Sequence, residues 1–472
     1  METYKIYVGG EFKVTDKELI VRNSYSNEIV GKTYLATEEE CEEAINKALL
    51  AKEKIKCLSS YERYEVLQYI ATEIEKKKEL FTKIIALEAC KPYKYAAIEV
   101  ERAINTFRVS AEEAKRLPSE HIYLDWTSTV IKKEGIVRYF PIGIVLGIVP
   151  FNFPLNLAAH KIGPAIASGN CIIIKPSTHT PLTMLEFAKI INQTYLPTGT
   201  FSVLPTTREV GFYLIKHQNI DKLSFTGSSE VGWYLKNICG KKKITLELGG
   251  NSAVIISQTA NLDEAIPKTV TGAFAYQGQI CIHTQRIYVH HSIYSTFLEK
   301  FLEKVKKLKI GHPLEIDTDI SALIDEESAI RVEEWIKEAI NQGAELIYGG
   351  KRNCAIIEPT ILTNTNSKMK INKLEVFGPV VVIEKYYSFE EAVNLVNDTE
   401  YGLQAGVFTD SLKEMNYAYE NIKVGAVLIN ESPTFRIDHM PYGGIKNSGF
   451  GREGIKYAIK EMMEPKLLVK PF

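Results

Sequence analysis

Two side chains in this sequence have the makings of a reaction centre, a thiol and a carboxylate. Cys281 closes the string Tyr276-Gln277-Gly278-Gln279-Ile280-Cys281, after a stretch with helical spacing and beside a glycine that permits close approach. A thiolate is a soft nucleophile, yet one cysteine of seven, taken alone, reads equally as an inert buried thiol. Glu247 stands in Leu246-Glu247-Leu248-Gly249-Gly250, a strand end where apolar neighbours raise a carboxyl pKa toward that of a usable base. An exposed strand-end Glu explains that string as well. Two loops have the composition to hold a phosphate: Lys175-Pro176-Ser177-Thr178, and Gly227-Ser228-Ser229-Glu230-Val231-Gly232 at the opening of a helix. The second lacks G-x-G-x-x-G spacing, so a plain strand-to-helix turn accounts for it too. Lys175 says more, because burying an ammonium at a strand end without an anion is costly, although a solvated Lys stays open. A metal centre is not expected: there is no H-E-x-x-H, and His283, His290 and His291 lack a credible set of partners. His439 reads as a loop or packing residue. No G-x-S-x-G elbow marks a serine hydrolase.

The elements that must position these groups alternate regularly. Residues 37–56, 61–80 and 94–117 have apolar residues at helical spacing, and Trp126 to Phe140 alternates like a strand or hairpin. From Gly143 the order is strand 143–149, helix 155–167, strand 171–175, helix 182–191, strand 201–204, helix 209–217, strand 223–225 and helix 230–238. A second series runs from Ser252 past Leu428. Strands separated by single helices must pair in parallel, since parallel neighbours need a long crossover. The fold class is therefore α/β, with two doubly wound lobes. Ligands of such sheets bind beyond the carboxyl ends of the strands, where both phosphate-type loops fall.

Composition narrows the function. The 472 residues carry 57 Lys plus Arg against 58 Asp plus Glu, a net charge of −1, which argues against a nucleic-acid partner. With 45% hydrophobic and 24% charged residues the chain is ordinary globular material. No apolar run reaches the roughly 18 residues of a membrane span, so no membrane partner is expected. The Met1-Glu2-Thr3-Tyr4-Lys5 start has no signal-like apolar region, and the cysteines form no C-x-x-C pair; both point to a reduced, cytoplasmic protein. Abundant Lys, Glu, Ile and Tyr fit a thermophilic source.

In order along the chain, the motifs resemble those of the aldehyde dehydrogenase superfamily, from about residue 5 to about residue 470. They are Pro150-Phe151-Asn152-Phe153-Pro154, Lys175-Pro176-Ser177, Phe225-Thr226-Gly227-Ser228, Glu247-Leu248-Gly249-Gly250, Gly278-Gln279-Ile280-Cys281, Glu375-Val376-Phe377-Gly378-Pro379, Tyr401-Gly402-Leu403, and Pro441-Tyr442-Gly443-Gly444 before Ser448-Gly449. The resemblance implies that Cys281 adds to an aldehyde to form a thiohemiacetal. Asn152 and the Cys281 backbone N–H would hold the oxyanion, hydride loss to a nicotinamide would leave a thioester, and Glu247 would activate the hydrolytic water. It also implies a Rossmann-like site for NADP or NAD built without the glycine fingerprint. Lys175 and Glu375 would take the two riboses, with Gly227 and Ser228 at the diphosphate and Phe377 at the nicotinamide. Phe151, Ser177, Thr178 and Gly249 complete the cofactor set. Residues 1–118 and 140–247 would form the dinucleotide-binding domain and 248–445 the catalytic domain. Residues 119–139 and 446–472 would form a small β element for homo-oligomerisation, as dimer or tetramer.

Departures within the family bear on specificity. Where many NAD-preferring relatives place a Glu three residues after the lysine, this chain has Thr178, so a 2′-phosphate meets no carboxylate and NADP is expected to be preferred. Phe151, Ile280 and Ile282 give an apolar funnel to the thiol. Arg102 and Arg436 have the reach to bind a substrate carboxylate, phosphate or hydroxyl, or else are ordinary surface salt-bridge partners. The pattern is most similar to archaeal-type lactaldehyde, glyceraldehyde and non-phosphorylating glyceraldehyde-3-phosphate dehydrogenases, with succinate semialdehyde dehydrogenases next. An acyl transfer to coenzyme A is the rival chemistry, and the presence of Glu247 speaks against it. A catalytically silent binding protein is the rival class, and the intact Cys281, Glu247 and Asn152 speak against that.

Overall fold

The computed structural model describes residues 2–130 and 132–471; Met1, Ile131 and Phe472, which fall inside the domain ranges above, lie outside the described residues. The first lobe is built on five parallel strands, ordered across the sheet as Lys243–Glu247, Lys222–Thr226, Ile144–Ile148, Cys171–Lys175 and Phe201–Val203. These strands are buried nearly end to end, because helices cover both faces of the sheet. On one face lie Ser60–Lys76, Tyr93–Ala114, Asn156–Ser168 and Leu182–Ile191; on the other, Glu38–Cys57, Arg208–Lys216 and Ser229–Ile238. The chain winds outward from Ile144–Ile148 to Phe201–Val203, then returns to lay Lys222–Thr226 on the opposite side. The order thus reverses between Ile144–Ile148 and Lys222–Thr226, which opens a ligand crevice at the strands' carboxyl ends.

The second lobe carries a seven-stranded sheet in the order Glu345–Tyr348, Thr360–Thr363, Val380–Tyr386, Thr284–His290, Ser252–Ile256, Gln404–Phe408 and Ala426–Ile429. All neighbours are parallel except the outermost pair, Glu345–Tyr348 with Thr360–Thr363. A third piece is a three-stranded antiparallel sheet, in which Lys133–Pro141 pairs with Ser119–Tyr123 on one side and Met463–Pro471 on the other. No described helix is long and apolar enough to cross a membrane.

Three expectations need correction. Residues 446–472 do not act as one unit. Gly449–Phe450 pairs antiparallel with Leu246 and Glu247 as an edge of the first sheet, and Ile455–Glu461 buries Ile455 and Ile459 in the first lobe's core. Only Met463–Pro471 leaves for the small sheet. The helix expected over 61–80 breaks at Lys77, where Ser60–Lys76 ends and Lys78–Glu88 begins; its backbone leaves helical geometry there, at φ −102 and ψ 18. The alternation beginning at Trp126 is not a strand until Lys133, and Trp126 stands 91% exposed in the intervening turn.

Helix Asn156–Ser168 is buried along all 13 residues, and its contact with Tyr93–Ala114 fixes the loop that carries Asn152. The two helices approach so closely that a Cβ on Gly163 would stand 2.3 Å from Ser110 Oγ and 3.0 Å from Ser110 Cβ. We expect Gly163→Val to force the helices apart, destabilising the protein by about 1–3 kcal/mol and lowering activity more than the fold loss alone accounts for. Urea midpoints and initial rates on the same preparation check this; unchanged values would mean that the crossing relaxes freely.

Candidate active site

The chain reaches Cys281 through a strained elbow. After helix Leu262–Phe274, three consecutive residues sit in the left-handed region, Tyr276 at φ 49, Gln277 at φ 53 and Gly278 at φ 70. For the two that are not glycine this costs on the order of 1–3 kcal/mol each and persists only under outside restraint. Tyr276 Oη donates to the Ala89 carbonyl at 3.0 Å, and Gln277 Nε2 donates to the carbonyls of Cys90 and Ala322 at 3.0 and 2.8 Å. At Gly278 a Cβ would lie 2.2 Å from the Gly378 carbonyl oxygen, so no other residue fits. Asn152 Nδ2 donates to the Gln279 carbonyl at 2.9 Å, which ties the side-chain amide to the backbone two residues before Cys281 and leaves its second N–H unspent.

Cys281 opens on a cavity of about 210 Å³ walled by Phe153, Leu157, Tyr276, Ile280 and Ile282, with Lys91, Arg102 and Arg436 around it. Of the apolar funnel expected from Phe151, Ile280 and Ile282, the two isoleucines line this cavity, while Phe151 does not and packs against Phe377 instead. Burial pushes the Cys281 thiol up to about 11, opposed by a hydrogen bond from Tyr442 and by the charge of Arg436. Tyr442 Oη lies 3.2 Å from Sγ.

Glu247 ends its strand with both carboxylate oxygens buried and without a hydrogen-bond partner among the described residues. Burial, and then the charge of Glu453, raise its pKa well above the ordinary carboxylate range, while Arg436, Lys161 and Arg452 pull the other way. Behind it runs a buried chain of alternating charge. Lys161 Nζ donates to Glu453 Oε1 at 3.0 Å, Thr226 Oγ1 at 2.8 Å and Ser224 Oγ at 3.1 Å. Arg436 stands 3.4 Å from Glu453 Oε2 and lies over the Tyr442 ring at 3.5 Å. Asp438 receives Arg102 at 2.7 Å, His160 Nε2 at 2.8 Å and Asn156 Nδ2 at 3.2 Å. Burial alone would raise Asp438, but His160 and Arg102 outweigh it and hold the carboxyl well below its usual range. Arg102 and Arg436 therefore do face the thiol's cavity, and both are already paired; Arg436 is a buried group and not a surface one.

The cofactor candidates divide between two places. Lys175 and Thr178 line a cavity of about 710 Å³ with Arg208, Phe225, Glu230 and Tyr234. The Lys175 ammonium has no ion pair or hydrogen bond among the described residues, Glu230 of the same cavity included, and burial lowers its pKa. Ser228 Oγ caps helix Ser229–Ile238 by accepting from Val231 N at 3.4 Å, and Gly227 N donates to the Glu247 carbonyl at 3.0 Å. Nearer the thiol, Glu375 Oε1 accepts from Gly250 N at 2.9 Å; burial lifts this carboxyl to about 7. A Cβ on Gly249 would meet Glu375 Oε2 at 2.2 Å, and one on Gly250 would meet the Cys281 carbonyl at 2.3 Å, so this glycine pair is squeezed between ribose candidate and nucleophile. Phe151 packs edge-on to Phe377 at 5.9 Å. Ser177 lines neither cavity, its hydroxyl accepting from His179 N at 3.2 Å. An unpaired ammonium, a capped helix start and a 710 Å³ crevice at the sheet's switch point fit a dinucleotide.

Sequence reading missed Lys161, Glu453, Asp438, His160, Tyr442 and Arg208. Tyr442 was within a quoted motif; Lys161 and His160 sit on a helix read only for its apolar spacing, and no local signal marks Arg208.

A doubly wound lobe with an unpaired buried ammonium in its crevice stands with a second lobe that presents a thiol and, across from it, a buried unpartnered carboxylate, an arrangement that fits the chemistry of a thiol-dependent oxidoreductase. The model of the aldehyde dehydrogenase family matches residues 12–468, and the chain belongs to that family. It is 42% identical over 472 residues to the 3-sulfolactaldehyde dehydrogenase of Priestia aryabhattai, covering 99% of this chain and 98% of that one. It is 45% identical over 469 residues to the lactaldehyde dehydrogenase of Methanococcus aeolicus, covering 98% and 99%. The structure of glyceraldehyde-3-phosphate dehydrogenase GapN from Methanocaldococcus jannaschii, complexed with NADP, superposes with a TM-score of 0.93 at 41% identity, covering 97% and 100%. The protein is an NAD(P)-dependent dehydrogenase of small aldehydes.

The charges behind Glu247 make a measurable prediction. Glu453→Gln removes a like charge and leaves Lys161 and Arg436 less neutralised, and both changes favour the ionised form of Glu247. Its titration should move to lower pH by about one unit or more, followed by isotope-edited infrared spectroscopy of the carboxyl band. An unmoved or raised titration would show that burial alone sets it.

Proposed function

We propose that this enzyme oxidises a three-carbon 2-hydroxyaldehyde to its acid and prefers NADP. The observation that carries the substrate reading is the 210 Å³ cavity at Cys281, bordered by the Arg102 and Arg436 side chains. The space is below the ~300–1,000 Å³ of drug-sized sites, and guanidinium donors at its wall favour a substrate that carries an oxygen beyond its aldehyde group. The three relatives named above support this size class: lactaldehyde, 3-sulfolactaldehyde and glyceraldehyde 3-phosphate are all 2-hydroxypropanals that differ at the third carbon. Cys281 Sγ adds to the aldehyde carbon, and the free amide N–H of Asn152 with the Cys281 backbone N–H takes the oxyanion. The chemistry that the dinucleotide supplies when bound is hydride acceptance. Cys281 then holds the acyl group as a thioester, and Glu247 takes the proton of the water that hydrolyses it. A carboxylate in that position favours water over coenzyme A as the acyl acceptor.

In the cofactor reading, Lys175 and Glu375 hold the riboses, Gly227 and Ser228 the diphosphate, and Phe151, Gly249 and Phe377 the nicotinamide end. Ser177 shapes the loop of Thr178. Arg208 joins Lys175 and Thr178 as a donor to a 2′-phosphate, while Glu230 is the acid that opposes it. Residues 1–118 and 140–247 serve as the dinucleotide domain, 248–445 as the catalytic one, and 119–139 with 463–471 as the contact for a homodimer or homotetramer. Support for that contact is the edge strand Met463–Pro471, whose Leu467, Leu468 and Val469 are about half exposed. Seven free cysteines support a cytoplasmic setting.

Cys281→Ala should abolish oxidation and leave dinucleotide binding intact; strong residual turnover defeats the assignment. Glu247→Gln should release one burst of reduced cofactor and then stall, and loss of the burst would place Glu247 earlier in the reaction. The substrate is tested with a panel of lactaldehyde, glyceraldehyde, glyceraldehyde 3-phosphate and longer unbranched aldehydes; a best kcat/KM on the last group rejects the reading. For the cofactor, wild-type kcat/KM should favour NADP by roughly ten- to a hundredfold, and both Thr178→Glu and Arg208→Ala should swing the ratio toward NAD. A wild-type preference for NAD overturns it.

A further inference from the structure

We propose that Tyr442 is a catalytic residue whose phenolic O–H donates to the Cys281 sulfur and stabilises the attacking thiolate. The inference rests on Cys281 being the nucleophile. Tyr442 Oη is the single hydrogen-bond partner of Cys281 Sγ among the described residues, at 3.2 Å, and the hydroxyl has no other acceptor there. The ring cannot turn away. Its backbone is pinned to Glu453 by reciprocal bonds, Tyr442 N to the Glu453 carbonyl at 3.0 Å and Glu453 N to the Tyr442 carbonyl at 2.7 Å. The side chain is 4% exposed and packs with Ile282 and Leu403. On its face sits the Arg436 guanidinium, 3.5 Å from the ring centre, itself held by Glu453. A cation on the ring face withdraws charge from the phenol and makes its O–H a stronger donor.

The arrangement answers a specific difficulty. The thiol stands deep in the protein, and of the groups that face it Glu375 and Glu247 oppose a negative sulfur while Tyr442 and Arg436 favour one. Burial keeps the phenol protonated far above the pH of ordinary operation, so it remains the donor when the thiol ionises. In the step proposed, the sulfhydryl gives its proton to solvent water before the attack, leaving the thiolate, and the phenolic proton stays on oxygen. The sulfur lone pair forms the C–S bond, the carbonyl π electrons move to oxygen, and the hydrogen bond weakens as sulfur loses its charge.

Tyr442→Phe tests this, because it keeps the ring and its Arg436 stack and deletes only the hydroxyl. The full-length enzyme is alkylated with iodoacetamide across pH, the modified peptide is identified by mass spectrometry, and turnover is recorded in parallel. Ultraviolet thiolate absorbance, blanked with Cys281→Ala, gives the same titration without reagent. The inflection for Cys281 should rise by about one to two pH units, and alkylation near neutral pH should slow about 10- to 100-fold, with an unchanged rate at the high-pH plateau. A profile that superposes on wild type overturns the role of Tyr442 while leaving Cys281 as the nucleophile. Turnover surviving in Cys281→Ala instead defeats the underlying assignment.

Discussion

Removing a carboxylate from water without giving it a donor costs several kcal/mol if it stays ionised, and Glu247 is in that position. Its neighbours decide how much of that cost is felt. Arg436, Lys161 and Arg452 favour the charge, Glu453 opposes it, and burial outweighs them all, so the proton is held unusually tightly. Such a group is a stronger base than a surface carboxylate once it does ionise, which is what activating water requires. The fold cannot supply this with an ion pair, because a direct salt bridge would restore the ordinary low pKa and leave a poor base. The charges therefore stand one step back, paired with one another.

That one step fixes much of the architecture. Lys161 is on a helix buried on every side, so its ammonium needs Glu453, and Glu453 arrives on the chain that crosses from the second lobe back to the first. Gly449–Phe450 closes on the Glu247 strand, and the chain that follows delivers Glu453 behind Glu247 before Met463–Pro471 joins the small sheet. Asp438 and Arg436, on the preceding loop, tie in His160, Asn156 and Arg102 from the helices of the first lobe. Deleting one member of such a chain leaves an uncompensated buried charge, so its parts are more costly to lose than they are valuable to have.

The α/β class and the strand–helix order were legible because parallel sheets buried on both faces leave continuous apolar runs, as in Cys171-Ile172-Ile173-Ile174. Cys281 and Asn152 lay in motifs, and Asn152 is hydrogen-bonded to the backbone of Gln279, two residues before Cys281. The partner network was not legible, since a charge on an apolar helix such as Lys161 has no local signature; only the distant Glu453 gives it meaning. Likewise Arg102 and Arg436 read as surface or substrate groups, and their commitment to Asp438 and Glu453 depends on contacts across more than 300 residues in one case. The break at Lys77 escaped because both flanking helices share one apolar periodicity.

The same pairings bear on what the substrate cavity can recognise. Three cations border it, and each has a carboxylate beside it: Lys91 has Glu99, Arg102 has Asp438, and Arg436 has Glu453, which Lys161 shares. These pairings answer most of that positive charge in place, so an anionic group on an aldehyde gains less from simple attraction than three free cations would give. What remains is direction. A guanidinium offers five donors in a fixed fork, and those of Arg102 and Arg436 are only partly taken up by Asp438 and Glu453. An oxygen that meets a remaining donor is bound without separating an existing pair, whether it belongs to a hydroxyl or to a phosphate. Selection by such a site works through the placement of oxygens and the exclusion of carbon too bulky for the apolar funnel.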